Sequence, residues 1–164
     1  MKQIIRQHGF TLVEAMVVMA LLATFLTVLT SLFVRAVDVQ TKSEAYSATV
    51  SDGRFIMARL DYDIARATAI ATPASLGGSS AALVMTVNGS TYTYALSGNN
   101  LQLTDNVGSG NVNSSGTRVS SLSFQRLGNT GGKDSIRYSF TLTSTARHLS
   151  GNDIRTFTST TERR

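Results

Sequence analysis

Cysteine and tryptophan are absent from this sequence, and proline occurs once, at Pro73. Without cysteine the chain can form no disulfide framework, no thiol nucleophile and no cysteine-ligated metal site. Histidine occurs twice, at His8 and His148, which is too few for a Ser/His/Asp arrangement argued with any support or for a metal held by several imidazoles. Phosphate-binding glycine motifs are missing as well. These absences predict a protein that is not an enzyme and that uses no cofactor or metal.

Charged residues are also scarce. They make up 15% of the chain, against about 25% in typical soluble domains. The net charge is +5, and because Lys2 and Arg6 contribute two of these charges, +3 remains from Phe10 onward. This excess is too small and scattered to indicate nucleic-acid binding by itself. Residues 101–164 nevertheless hold eight bases against four acids, which leaves a binding module for DNA or an anionic surface as an alternative. The bases are Arg118, Arg126, Lys133, Arg137, Arg147, Arg155, Arg163 and Arg164.

One long apolar stretch, residues 9–34, contrasts with this polar remainder. Twenty uncharged residues separate its single acid, Glu14, from Arg35, and about 20 helical residues span a hydrocarbon core of roughly 30 Å. The stretch is too long for the core of a secretory signal peptide. A lone carboxylate within a membrane helix is costly, so Glu14 is a functional candidate. The alternative is that Glu14 lies in the headgroup zone and stays ionised there.

Residues 9–14 read Gly-Phe-Thr-Leu-Val-Glu. Followed by the apolar stretch, this block closely resembles the processing site of type IV pilins and type II secretion pseudopilins. The resemblance implies that a prepilin peptidase cuts between Gly9 and Phe10 and that the new amine of Phe10 is N-methylated. It also implies a role for Glu14 in assembly, because this carboxylate pairs with the terminal amine of a neighbouring subunit and sets the register of the filament.

The same resemblance implies a location and a set of partners. The partners are the prepilin peptidase, other pilins or pseudopilins, and an inner-membrane assembly platform driven by a separate ATPase. Basic residues before the apolar stretch predict a single-pass protein of the cytoplasmic membrane, with its N-terminus inside and its polar part outside. The subunit would then leave the membrane for an extracytoplasmic filament. The sequence does not distinguish a pilus from a secretion or competence system.

A second helical segment is expected at residues 35–71, where the pattern becomes amphipathic. Its predicted buried face consists of Tyr46, Val50, Met57, Leu60 and Ile64. Gly53 lies on this face and favours the close approach of a neighbour. Arg59 and Asp63 have the spacing of an exposed i,i+4 ion pair, which contributes only a few tenths of a kcal/mol. Asp61 and Asp63 are two residues apart, so they point in different directions and form no catalytic dyad.

Pro73 disfavours helix at Thr72, and beyond a linker-like turn at residues 77–80 the hydrophobic period changes to two, which predicts strands. We expect strands at residues 83–87, 91–96, 101–103, 118–127, 136–143 and 154–159, with Asn88-Gly89 as a hairpin turn. Residues 105–116 are expected to form a loop that lacks the EF-hand spacing of a calcium site. The predicted buried aromatics are Phe124, Tyr138, Phe140 and Phe157.

The predicted fold class is therefore α+β and pilin-like. One long N-terminal helix, with a transmembrane first half and an amphipathic second half, packs on a C-terminal antiparallel β-sheet head. The expected divisions are a cleaved leader at residues 1–9, a transmembrane half at 10–34, an amphipathic half at 35–71 and a β-rich head at 72–164.

Residues 52–67 carry a second, looser resemblance, to the helix end of J-type minor pseudopilins and W-type minor pilins. The matching residues are Arg59, Leu60, Asp63, Arg66 and Ala67. Many major pilins have a proline midway along the apolar helix, where this sequence has none. Both features favour a minor pilin or pseudopilin near the filament tip or its initiation complex. A major pilin is the remaining structural alternative.

Overall fold

The computed structural model describes residues 11–164. Helix α1 spans Leu12–Arg66 and is followed by nine strands. The chain divides into two compact units, one ending at Gln40 and the other comprising Thr41–Arg164. Helix α1 contributes to both units, and each unit is described by itself below.

The first unit is the apolar part of α1. All side chains from Leu12 to Val34 are exposed, and the most apolar 18-residue window has a mean hydropathy of 2.4. This part of the helix is therefore long enough and apolar enough to cross a membrane. The hydroxyls of Thr24, Thr27 and Ser31 donate to the carbonyl four residues earlier, at 2.8–2.9 Å. Because those hydroxyls are satisfied within the helix, they are tolerated in lipid, and the predicted unbroken helix is confirmed.

The predicted helix end at residue 71 is wrong. Helix α1 ends at Arg66, and Ala67–Thr72 forms strand β1, which pairs antiparallel with β3. This segment contains Thr68 and Ile70, which are β-branched and favour extended structure. Ile70 is 7% exposed in the core. Sheet pairing and burial therefore override a helical pattern that was weak at its end.

The second unit contains two antiparallel sheets where the sequence predicted one. The five-stranded sheet A has the order β1-β3-β4-β5-β6, and the four-stranded sheet B has the order β2-β7-β8-β9. The remaining strand bounds are β2 Ser79–Ser80, β3 Leu83–Val87, β4 Ser90–Ser97, β5 Asn100–Thr104, β6 Ser109–Asn111, β7 Thr117–Leu127, β8 Ser135–His148 and β9 Gly151–Glu162. All six predicted strands are confirmed; β3 has the predicted bounds, and the other five are longer than predicted. Strands β1, β2 and β6 were not predicted, and β6 interrupts the predicted loop at 105–116.

The part of α1 that begins at Thr41 packs on both sheets. Ile56, Leu60 and Ile64 are fully buried in one core with side chains of sheets A and B. Phe124, Tyr138 and Phe140 are buried as predicted, and Phe157 is half-buried. The architecture is the predicted α+β fold with one long apolar N-terminal helix.

The buried face of α1 differs from the predicted one at its start. Tyr46 is half-exposed, and the buried positions there are Ala45, Thr49 and Gly53. These positions recur at steps of four, as on one helix face. The face is built from small residues because sheet B approaches the helix closely. The pattern of large apolar residues predicted correctly which segment packs on the sheets. At the start of that segment, the predicted buried face differs from the observed one by about one residue.

Gly53 shows how close this approach is. A Cβ atom built on Gly53 would lie 2.2 Å from Cζ of Phe157. The Phe157 ring is itself stacked on Phe140, with ring centroids 5.4 Å apart. The expectation that Gly53 permits a close neighbour is confirmed, and the neighbour belongs to the same chain.

Replacing Gly53 by valine is expected to destabilise the second unit by about 1–3 kcal/mol, because an overpacked side chain must displace the stacked Phe157 ring. The matched control is Ser51→Val on the exposed side of the same helix, which is expected to change stability by less than about 0.5 kcal/mol. Chemical unfolding of the full chain in detergent measures both. Equal stability of the two variants would contradict the packing argument.

Candidate functional site

Gly9 and Phe10, the predicted processing residues, lie outside the described residues. The third predicted residue, Glu14, lies in the first turn of α1 with its side chain exposed. The hydroxyl of Thr11 accepts a hydrogen bond from the Glu14 amide at 3.2 Å, and the Thr11 carbonyl accepts from Ala15 at 3.1 Å. Thr11 is therefore the N-cap of the helix.

Thr11 and Glu14 together have the sequence of a capping box, which the sequence analysis did not consider. A glutamate at the third helical position suits this motif and the positive end of the helix dipole. Glu14 thus has a local role that does not require a partner. Among residues 11–164, no ion pair involves its carboxylate. A cation for Glu14 must therefore come from outside the described residues or from another molecule.

Three aspartates of α1, which we call the aspartate clamp (Asp52, Asp61 and Asp63), fasten the helix to the sheets. Asp63 is 1% exposed. Its Oδ2 accepts from the Tyr94 hydroxyl of sheet A at 2.5 Å and from Nε of Arg59 at 2.9 Å. The ion pair with Arg59 was predicted to be solvated, and this is wrong for its acidic partner. Because Asp63 is buried, removing its donors leaves an uncompensated charge, which costs much more than a surface pair contributes.

Asp61 points to the other sheet. Its Oδ1 accepts from the Tyr138 hydroxyl of β8 at 2.6 Å and from the Thr161 hydroxyl of β9. The predicted divergence of Asp61 and Asp63 is confirmed, and the two carboxylates serve different sheets. A single turn of the helix is thereby tied to both sheets of the head.

Asp52, the third member of the clamp, lies nine residues before Asp61 on the same helix. Its Oδ2 accepts from the Ser114 amide at 3.0 Å, from the Ser114 hydroxyl at 2.7 Å and from the Thr117 hydroxyl at 2.5 Å. These donors belong to the connection between β6 and β7 and to the start of β7. Hydrogen bonds to a carboxylate are stronger than hydrogen bonds between neutral groups. The three aspartates of the clamp therefore hold the helix firmly on the sheets.

The two tyrosines of the clamp are held as neutral donors. Burial raises the pKa of Tyr94, and its hydrogen bond to Asp63 raises that pKa further. Burial and the hydrogen bond to Asp61 act in the same direction on the pKa of Tyr138. A tyrosinate beside a carboxylate would be repelled, so both contacts depend on the protonated phenol.

Several bases of the second unit serve structural contacts. Arg126 pairs with Asp134 at 2.9 Å, and Arg163 reaches the same carboxylate at 3.7 Å. The guanidinium of Arg155 lies 4.3 Å from the ring centroid of Tyr46. Three of the eight bases counted in the sequence therefore hold the head together. They contribute less to an outward basic surface than their number suggests.

Polar side chains of the segment at residues 105–116 form hydrogen bonds within the second unit. Asp105 accepts from the amides of Val107 and Gly108, at 2.8 and 3.0 Å. The buried Asn113 accepts from the Leu101 amide at 2.9 Å and donates to the Thr117 carbonyl at 2.9 Å. No group of three or more His, Asp or Glu side chains suited to a metal occurs within residues 11–164.

Removing one hydroxyl tests the clamp. Tyr94→Phe is expected to destabilise the chain by about 1–3 kcal/mol, because Asp63 stays buried without its closest donor. The matched control is Tyr92→Phe on the same strand, which is partly buried against the same core and is expected to cost less than about 0.5 kcal/mol. Urea unfolding compares the two, and similar losses would show that the bond to Asp63 contributes nothing.

The raised tyrosine pKa values predict a loss of stability in alkali. Since the pKa of both phenols is higher in the folded chain, their contribution is complete below about pH 10, the ordinary pKa of tyrosine, and is lost as the pH rises above it. A Tyr94→Phe, Tyr138→Phe double variant should show a shallower decline of unfolding free energy between about pH 9 and 11. Tyr62→Phe, at a position 57% exposed, serves as the control and should keep the wild-type slope. An unchanged slope in the double variant would rule the tyrosines out.

Comparison with protein families places the N-terminal features in context. Residues 4–30 match the family model described as the prokaryotic N-terminal methylation motif. No match to this chain was found among curated proteins or among solved structures. The matched segment includes Gly9, Phe10 and Glu14 and most of the exposed apolar helix. The motif belongs to structural subunits that a prepilin peptidase processes and that assemble with other pilins, not to enzymes. Together with the apolar helix, this N-terminal match supports membrane anchoring and processing of the kind found in type IV pilins and type II secretion pseudopilins.

Proposed function

We propose that this chain is a minor pilin or pseudopilin, a structural subunit built into a type IV pilus or a type II secretion pseudopilus. In this proposal the leader, residues 1–9, is removed between Gly9 and Phe10, and Phe10 is N-methylated. Residues 10–34 first anchor the subunit in the cytoplasmic membrane, with the N-terminus inside and the second unit outside. An inner-membrane assembly platform then transfers the subunit into the filament.

The observation that carries this proposal is the bare apolar helix. Every side chain from Leu12 to Val34 is exposed, although isolated apolar surface of this size is unfavourable in water. Lipid covers such a helix before assembly. The apolar helices of neighbouring subunits give equivalent cover afterwards, so transfer into a filament exchanges one apolar environment for another.

The second unit supports the more specific assignment. In the resemblance to J-type pseudopilins and W-type pilins, the matched residues include Arg59, Leu60 and Asp63. Leu60 is fully buried in the core, and Arg59 and Asp63 form an ion pair that Tyr94 completes. The matched residues thus include those that join the helix to the head. This supports a subunit at or near the filament tip or initiation complex.

Glu14 is proposed to set the register between subunits. Its carboxylate is exposed in the first helical turn and has no ion-pair partner among the described residues. Cleavage before Phe10 would create a positively charged amine at the same depth on a neighbouring subunit. An ion pair formed in lipid only after correct docking would favour one axial register.

Binding of DNA or another anionic surface has weaker support. Arg126, Arg155 and Arg163 are occupied in internal contacts. Of the remaining bases, Lys133 and Arg164 line one pocket together with Arg163, but the acids Asp61 and Glu162 line it too. Arg118, Arg137 and Arg147 lie on β7 and β8. A binding module at a pilus tip would need the same bare helix, so it is the internal engagement of these arginines that weighs against it.

The register role and the capping role of Glu14 can be separated. Glu14→Gln keeps a residue that suits the third position of a capping box but removes the charge. We expect normal membrane insertion and trimming, with incorporation into sheared filaments reduced at least about tenfold, as loss of about 1.4 kcal/mol of docking energy would give. Quantitative immunoblotting of filament and membrane fractions measures this.

The matched control is Glu44→Gln, which neutralises another exposed glutamate of the same helix and should leave incorporation unchanged. Wild-type incorporation of Glu14→Gln would refute the register role. Loss of insertion in that variant would assign Glu14 to helix formation instead.

A further inference from the structure

A cavity of about 390 Å³ lies within the second unit, between α1 and the hairpin formed by β5 and β6. Its apolar lining comes from Phe55 of α1, Leu103 of β5, Val107 of the hairpin loop and Val112, which follows β6. Leu103 and Val112 pack against the core, whereas Phe55 is 58% and Val107 is 89% exposed. The cavity, which we call the hairpin pocket, is therefore an open extension of the core.

Gly110 is the residue that leaves the hairpin pocket open. It lies opposite Leu103 in the pairing of β5 with β6, and directly paired residues point to the same face of a sheet. A side chain at position 110 would therefore lie on the core side of the strand, and a Cβ atom built there meets no heavy atom within 4 Å. The φ angle of Gly110 lies outside the left-handed region, so its backbone does not require glycine. The missing side chain leaves space for a side chain from another molecule.

The strand that carries this glycine is also a free edge. Strand β6 ends sheet A, and within residues 11–164 no strand pairs with its outer side. On its inner side, the Val112 amide donates to the Leu101 carbonyl at 2.7 Å. In an antiparallel pair, residues that bond to the partner strand alternate with residues whose N–H and C=O point away from it. Ser109 and Asn111 therefore present their amides and carbonyls at the edge, on either side of the glycine.

The charged residues of the lining are already engaged within the chain. Arg59 forms its ion pair with Asp63. Asp105 accepts hydrogen bonds from two amides of its own loop. Since one residue is basic and the other acidic, the pocket favours neither sign of charge. The lining suits an apolar side chain, and the adjacent edge can bind backbone amides and carbonyls. An extended peptide supplies both.

We propose that the hairpin pocket and the free edge of β6 together bind an extended peptide segment of another protein. The segment pairs with β6 through the amides and carbonyls of Ser109 and Asn111. Its residue opposite Gly110 carries a large apolar side chain, which lies in the pocket against Phe55 and Leu103. Backbone pairing provides affinity, and the pocket selects an apolar residue at one position of an otherwise polar, uncharged strand. The site belongs to the second unit alone and does not depend on the filament role.

The absence of cysteine permits a tethering test on the full chain in detergent. Asn106→Cys places one thiol on the exposed loop beside the pocket. This chain is equilibrated, with a small thiol present to allow exchange, with an equal mixture of two peptides that carry a disulfide-capped cysteine on a short Gly/Ser linker. Both read Thr-Ser-Thr-Xaa-Thr-Ser-Thr, with leucine at the centre of one and alanine at the centre of the other. Mass spectrometry measures the ratio of the two mixed disulfides.

We expect the leucine peptide to label the chain at least about fivefold more than the alanine peptide, because its larger side chain is buried in the pocket and tethering makes a weak ligand detectable. Gly110→Leu fills the pocket from within, so the ratio should fall to about one. The matched control is Thr91→Leu, an exposed position of β4 in the same sheet, which should keep the preference. Phe55→Ala removes an exposed wall and should reduce the preference at least about twofold. Equal labelling of the parent chain by both peptides, or a preference that survives Gly110→Leu and Phe55→Ala, overturns the inference.

The backbone pairing is tested with methylated forms of the leucine peptide. The threonine after the leucine donates its amide to the edge of β6, so N-methylation of that threonine should lower labelling at least about threefold. The matched control is N-methylation of the leucine itself, whose amide points away from β6 and which should label as the unmodified peptide does. Equal labelling by the two methylated peptides would contradict strand addition and overturn the proposal.

Discussion

The fold depends on carboxylates that leave water to join one helix to two sheets. Asp63 reaches sheet A through Tyr94, Asp61 reaches sheet B through Tyr138, and both aspartates come from one turn of α1. A buried carboxylate is costly unless its donors are in place, so these contacts favour a single way of seating the helix. The small face at Ala45, Thr49 and Gly53 lets sheet B come close enough for the contacts to form.

The contacts of the aspartate clamp distinguish the two parts of helix α1. One continuous helix carries exposed apolar side chains before Val34 and a clamped, buried face after Thr41. The side chains before Val34 are not part of the core of the second unit. The part after Thr41 cannot leave that core without exposing the buried carboxylate of Asp63. That arrangement suits a subunit moved as a whole from a bilayer into a fibre.

The apolar helix and most strands could be predicted because each rests on local pattern. Hydrophobic length predicts the helix, and period-two alternation with Asn88-Gly89 predicts the first hairpin. Strand β1 could not be predicted, since its extended form depends on pairing with β3, far along the chain. The same holds for the buried environment of Asp63: spacing alone matched a surface ion pair, and only the approach of Tyr94 makes it internal. Glu14 could be recognised from its isolation among apolar residues. Thr11 was not predicted as the helix N-cap, although a threonine three residues before a glutamate is a recognisable helix start.

A filament subunit of the proposed kind is a mature chain that keeps its apolar helix and begins with a modified amine near Glu14. Intact-mass measurement of the protein purified from its native membrane, with sequencing of the N-terminal peptide, tests this most directly. We predict a polypeptide that begins at N-methylated Phe10 and ends with the full second unit. A chain that still begins at Met1, or one that begins beyond Val34, would contradict the assignment as a filament subunit.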